Sequence, residues 1–106
     1  MFIKTADLSD TVITKGYTAK IVHTEQMTIA HVTIEAGHDL PEHHHVHEQV
    51  TNVLSGELEM TVGGETHLCT EGTVVTIPSN VPHSARALTD CFVVDVFQPA
   101  RSDFKQ

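Results

Sequence analysis

The chain has 106 residues, room for one hydrophobic core but not a second. Its formal net charge of −8 argues against a nucleic-acid or anionic-membrane partner. No stretch approaches the ~20 apolar residues that a membrane helix needs.

In chain order, the opening MFIKTADLSD has one Lys and no apolar run, so no signal peptide is expected. Residues 17–24 form a weak strand candidate, with Tyr17 at its start and nothing to select that ring for a role. QMTIAHVTIEAG alternates cleanly: Thr28, Ala30, Val32 and Ile34 lie on one side, and Met27, Ile29, His31 and Thr33 on the other. His31 on this pattern is a polar outer-face residue. TNVLSGELEMTVGGE reads as two strands joined by a turn at Ser55-Gly56, with a second turn at Gly63-Gly64. GTVVTIP and DCFVVDVFQP are strands stopped by proline, and residues 83–88 are a weaker candidate. Eight or nine short strands, Gly and Pro punctuation and no helical period predict an all-β sandwich or barrel. The tail PARSDFKQ is expected along the surface. Cys69 and Cys91 lack CxxC spacing, so reduced thiols and a cytoplasmic location are expected.

Between two of these strands lies PEHHHVHEQV, residues 41–50. A mid-chain run interrupted by Val46 is not an affinity tag. On a strand, residues i and i+2 share a face, so His43 and His45 point together and Gln49 can join them from the next strand. His44 then points elsewhere, and His44 and His47 read as solvated loop residues. Glu48 faces away from the metal side. Neutral imidazoles are common ligands of Zn, Ni and Fe(II), so the HxH pair is a chelating candidate.

Asp95 is out of place among Phe92, Val93, Val94, Val96 and Phe97. By parity it shares a face with Cys91, Val93 and Phe97. Alternation alone leaves two readings open: a solvent face carrying Asp95, or an inward carboxylate whose burial demands pairing or use. Arg86, three residues after His83, has opposite parity and reads as surface.

The spacing Gly37-x5-His43-x-His45-x3-Gln49-x6-Gly56, followed by Gly72-x5-Pro78-x4-His83, resembles the two motifs of the cupin superfamily. Gln49 stands where most cupins have Glu. The resemblance implies a jelly-roll β-barrel spanning 1–106 as a single cupin domain, with motifs at 37–56 and 72–83 and an active-site strand and tail at 90–106. It also implies one divalent metal ion (Ni, Zn, Fe or Mn) held in the barrel mouth by His43, His45, Gln49 and His83. Three imidazoles and an amide oxygen leave the ion's charge uncancelled, which favours Lewis-acid chemistry over redox iron chemistry.

The string Asp95-x-Phe97-x-Pro99-x-Arg101-x-Asp103-Phe104, together with HHHVHEQVTNVLSGELEMTVGGE, resembles the KdgF group of cupins, sugar-acid enzymes of pectin and alginate breakdown. By position, that resemblance implies Asp95 and Arg101 as the catalytic pair, and Phe97 and Arg101 as substrate-binding residues. The reaction implied is ring opening and ketonisation of a 4,5-unsaturated monouronate to the linear 4-deoxy-5-keto-uronate, by a homodimer with no nucleic-acid or membrane partner. Another metal-dependent cupin enzyme (a dioxygenase or isomerase) and a non-catalytic binder of small acids are the alternatives.

Overall fold

A computed structural model describes residues 1–104. The expected strands are present, and the total is ten: β1 (Thr11–Thr14), β2 (Tyr17–His23), β3 (Thr28–Ile34), β4 (Asp39–His43), β5 (Glu48–Ser55), β6 (Leu58–Val62), β7 (Glu65–Cys69), β8 (Val74–Ile77), β9 (His83–Ala87) and β10 (Cys91–Gln98). Strand β1 is additional, and β4, where the His43-x-His45 pair was expected, is short and shifts register between Leu40 and His43. Two three-residue 3-10 turns, Thr5–Asp7 and Ser102–Phe104, are the helical content of the described residues. Among the described residues no helix is long and apolar enough to cross a membrane.

The strands form two antiparallel sheets, ordered β1-β2-β3-β10-β5-β8 and β4-β9-β6-β7. The sheets close face to face as a jelly roll, which covers the apolar side of each strand. The alternation in β3 has this origin: Thr28, Ala30, Val32 and Ile34 are buried, while Ile29, His31 and Thr33 on the outer face are not. The core joins Val32, Ile34, Val53 and Ile77 of the larger sheet to Leu58 and Met60 of the smaller. Gly63 and Gly64 turn β6 into β7 with φ of 57° and 82°, the left-handed geometry that a two-residue hairpin requires. At Gly56 (φ 88°) a side chain would also run into the backbone of Asp90 and Cys91, so the turn after β5 demands glycine twice over.

Strand β10 is central to the site. It pairs with β3 on one side and β5 on the other, which sets Asp95 opposite Thr51 and Phe97 opposite Gln49. Cys91, Val93 and Phe97 are buried and Phe92, Val94 and Val96 less so, which places Asp95 on the inward face. The tail does not simply follow the surface. It turns back across the end of the sheets, where the Arg101 N–H donates to Thr28 Oγ1 (2.7 Å) and His23 Nε2 lies 3.0 Å from the Phe104 carbonyl.

Candidate functional site

Between the sheets lies a cavity of about 280 Å³. Much of its wall is apolar, with Ile13, Leu40 and Met60 among the contributors, and its polar lining includes His43, Gln49, Thr51, His83, Asp95 and Arg101. Each sheet supplies part of this set. His43 and His83 are cross-strand partners on β4 and β9, whereas Gln49, Thr51 and Asp95 come from β5 and β10.

His43, His45 and His83 offer ligand atoms that all lie within 4.8 Å of one another. The expectation that His43 and His45 share a strand is corrected: β4 ends at His43, and His45 sits in the connection to β5. Backbone carbonyls aim the rings. Nδ1 lies 2.8 Å from Pro41 O in His43, 2.9 Å from His47 O in His45, and 2.9 Å from Val81 O in His83. A carbonyl can only accept, so each Nδ1 carries the proton and each Nε2 presents a lone pair to the cluster. His44 is exposed as expected. His47 is not simply solvated: it is part-buried, and its Nδ1 is buried with no hydrogen-bond partner among the described residues.

The atoms left over test whether a metal fits. His83 Nε2 is buried with no hydrogen-bond partner among the described residues. His45 Nε2 faces Gln49 Oε1 at 3.1 Å, and with the proton on Nδ1 both of these atoms are acceptors. Moving the proton to Nε2 would only set Nδ1 against the His47 carbonyl instead. Double protonation is opposed: burial, and then the Arg101 charge, lower the His45 pKa, and burial takes His83 down to about 4. A cation satisfies all of these lone pairs at once. Three imidazoles and one amide oxygen are a donor set that Zn, Ni, Fe or Mn accepts. The residues fit a divalent metal.

Beside the cluster stand Asp95 and Arg101. Burial raises the Asp95 pKa to about 6, against the opposing effects of the Thr51 and Gln49 hydrogen bonds and the Arg101 charge. Its carboxyl therefore holds a proton more readily than an exposed aspartate does, as suits a group that exchanges protons. Arg101, with a side chain only 11% exposed, has its guanidinium 4.8 Å from the Phe97 ring centroid and 4.0 Å from that of Phe104. Phe97 also meets His45 edge-on, tying the arginine's platform to the histidine cluster.

Arg86 and Glu48 are exposed and His31 lies on the outer face, as their parity suggests. Tyr17, unselected by the sequence, is buried in the cavity wall with its hydroxyl donating to the His38 carbonyl at 3.2 Å. Thr51 was missed. It is two residues from Gln49 on the same strand, so the parity that turns Gln49 inward turns Thr51 inward too. Phe104 and Asp103 form part of the site through the folded-back tail, which local pattern does not encode.

Residues 30–97 match the cupin domain family, and the chain belongs to that family. Within it the likeness is to KdgF proteins. The chain is 31% identical to the pectin degradation protein KdgF of Dickeya dadantii over 65 residues, 60% of this chain and 59% of that protein. KdgF from a Halomonas species superposes with a TM-score of 0.92 at 28% identity, covering 99% of this chain and 98% of the other. An RmlC-like cupin from Shewanella frigidimarina gives a TM-score of 0.93 at 27% identity, with 98% and 95% covered.

Proposed function

We propose that this chain is a metal-dependent cupin enzyme that opens and ketonises 4,5-unsaturated monouronates, yielding the linear 4-deoxy-5-keto-uronate. The observation that carries the reading is the placement of Asp95 and Arg101 in one cavity wall beside the histidine cluster. The likeness to proteins named for pectin degradation supports a uronate as the substrate class.

His43, His45, Gln49 and His83 would hold the metal. A divalent ion there supplies Lewis acidity towards substrate oxygens. Arg101 binds the uronate carboxylate, a planar acceptor suited to its fork, at short range despite the chain's overall negative charge. Phe97 and Phe104 hold the guanidinium in place, and the apolar wall excludes water from the reacting carbons. Asp95 takes the proton that leaves the enol oxygen and returns one to the carbon that becomes saturated. The net change is an isomerisation, with no oxidant or reductant required. A homodimer and a cytoplasmic setting complete the proposal.

The test is direct. Protein loaded in turn with Ni(II), Zn(II), Fe(II) and Mn(II) is incubated with unsaturated galacturonate, and loss of the conjugated ultraviolet absorbance is followed. Acceleration over the uncatalysed rate is expected. No acceleration with any of the four candidate metals, despite full metal occupancy, sinks the reading.

A further inference from the structure

We infer that Thr51 is a positioning residue that decides which end of the Gln49 side chain faces the histidine cluster. A glutamine has two ends of nearly equal shape and opposite chemistry: its oxygen can ligate a cation and its NH2 cannot. Where most cupins have a carboxylate, either oxygen serves. Here one orientation is productive and the other repels the ion, so something must choose.

The choice runs through three contacts in sequence. Thr51, 2% exposed, donates its hydroxyl proton to Asp95 Oδ1 at 2.7 Å. A hydroxyl has one proton, so Thr51 Oγ1 can then only accept from its other neighbour. That neighbour is Gln49 Nε2, which donates to Thr51 at 2.9 Å. With its nitrogen held on the Thr51 side, Gln49 must turn Oε1 the other way, where it lies 3.1 Å from His45 Nε2. Reversing the amide would set an N–H against a metal ion and its oxygen against a hydroxyl oxygen whose one proton is already given to Asp95. The Asp95 carboxylate, an acceptor at the far end of the relay, sets its polarity and draws the same NH2 end of Gln49 towards it, while Thr51 is the closer contact that holds that end in place. Gln49 is itself only 7% exposed, so water has little room to substitute for the threonine.

The inference rests on the metal-centre reading above, and its test separates the two. Zn(II) affinity is measured by competition with a chromophoric chelator for the wild type, Thr51→Val and Thr51→Ser, and again with each in the Gln49→Glu background. Valine keeps the shape of threonine and removes the hydroxyl, and thermal unfolding checks that each variant is folded. Thr51→Val is expected to weaken zinc binding about ten-fold or more, in line with other groups that orient a ligand, and Thr51→Ser to retain it. In the Gln49→Glu background both ends of the side chain are oxygen, so Thr51→Val should cost far less there. Equal zinc affinity in wild type and Thr51→Val overturns the inference, as does an equal loss in both backgrounds. Should Thr51→Val not fold, Thr51→Ala against Thr51→Ser reads the same difference. Failure of the wild type to bind zinc at all overturns the metal reading beneath it.

Discussion

Asp103 grips Arg101 from one edge of its guanidinium, accepting from Nε at 2.9 Å and from Nη2 at 2.6 Å. The arginine is thereby fixed before any ligand arrives. Among the described residues Nη1 has no hydrogen-bond partner, so one side of the fork stays available to an acid in the cavity. Such an arginine cannot be replaced by a point charge. Arg101→Ala is expected to raise KM for the uronate more than it lowers kcat. Arg101→Lys should behave nearly as poorly, because an ammonium neither lies flat between Phe97 and Phe104 nor holds Asp103 and a ligand together. Steady-state kinetics on both variants decide this, and a near wild-type KM for Arg101→Lys would refute it.

Asp95→Asn keeps the shape of the side chain and its capacity to accept from Thr51, but it removes the group that exchanges a proton. Metal content should be unchanged and ligand binding should survive. Turnover should fall by ~10²–10⁴-fold, the usual cost of losing an acid–base group. Wild-type turnover would exclude Asp95 from the chemistry.

Removing a ligand should empty the metal site without unfolding the barrel, since the apolar core of Val32, Ile34, Val53, Leu58 and Ile77 makes no use of the ion. Elemental analysis of His43→Ala, His45→Ala and His83→Ala tests the assignment, with circular dichroism as the control for folding. Full occupancy in two of the three would overturn the ligand set.

Tyr17 offers a pH test away from the metal ligands. Burial, reinforced by the charges of Asp39 and Cys91, raises its pKa from 10.0 to about 12. The folded value exceeds the unfolded one, so the stabilisation is fully present below pH 10 and is lost as pH rises through about 12. The chain has one Tyr and no Trp, so phenolate absorbance reports this residue alone. Ionisation should be delayed above pH 10 and accompany unfolding, and Tyr17→Phe should lose less stability across the same interval. Phenolate forming at its ordinary pH in a protein that stays folded would contradict the burial argument.

Much of the site is legible in the sequence because its parts are local. The spacing of His43, His45 and Gln49, and that of Gly72, Pro78 and His83, survives as pattern, and the period-two alternation of residues 28–34 marks a strand with one face in the core. Local pattern stops where a choice depends on a distant partner. On β10 both faces are apolar apart from Asp95, so parity sorts the residues into two sets without saying which set is inside. The smaller sheet decides that by packing over Val93 and Phe97 and leaving Phe92, Val94 and Val96 to the other face. The contact from Thr51 to Asp95 spans 44 residues, and that from His23 to Phe104 spans 81. Neither periodicity nor spacing carries such information, because hydrogen bonds of this kind arise only once strand register has brought the two segments side by side. The tail makes the same point. PARSDFKQ is polar as a string, yet Arg101 and Phe104 become part of the cavity wall because His23 at the end of β2 and Thr28 at the start of β3 supply the partners that turn it inward.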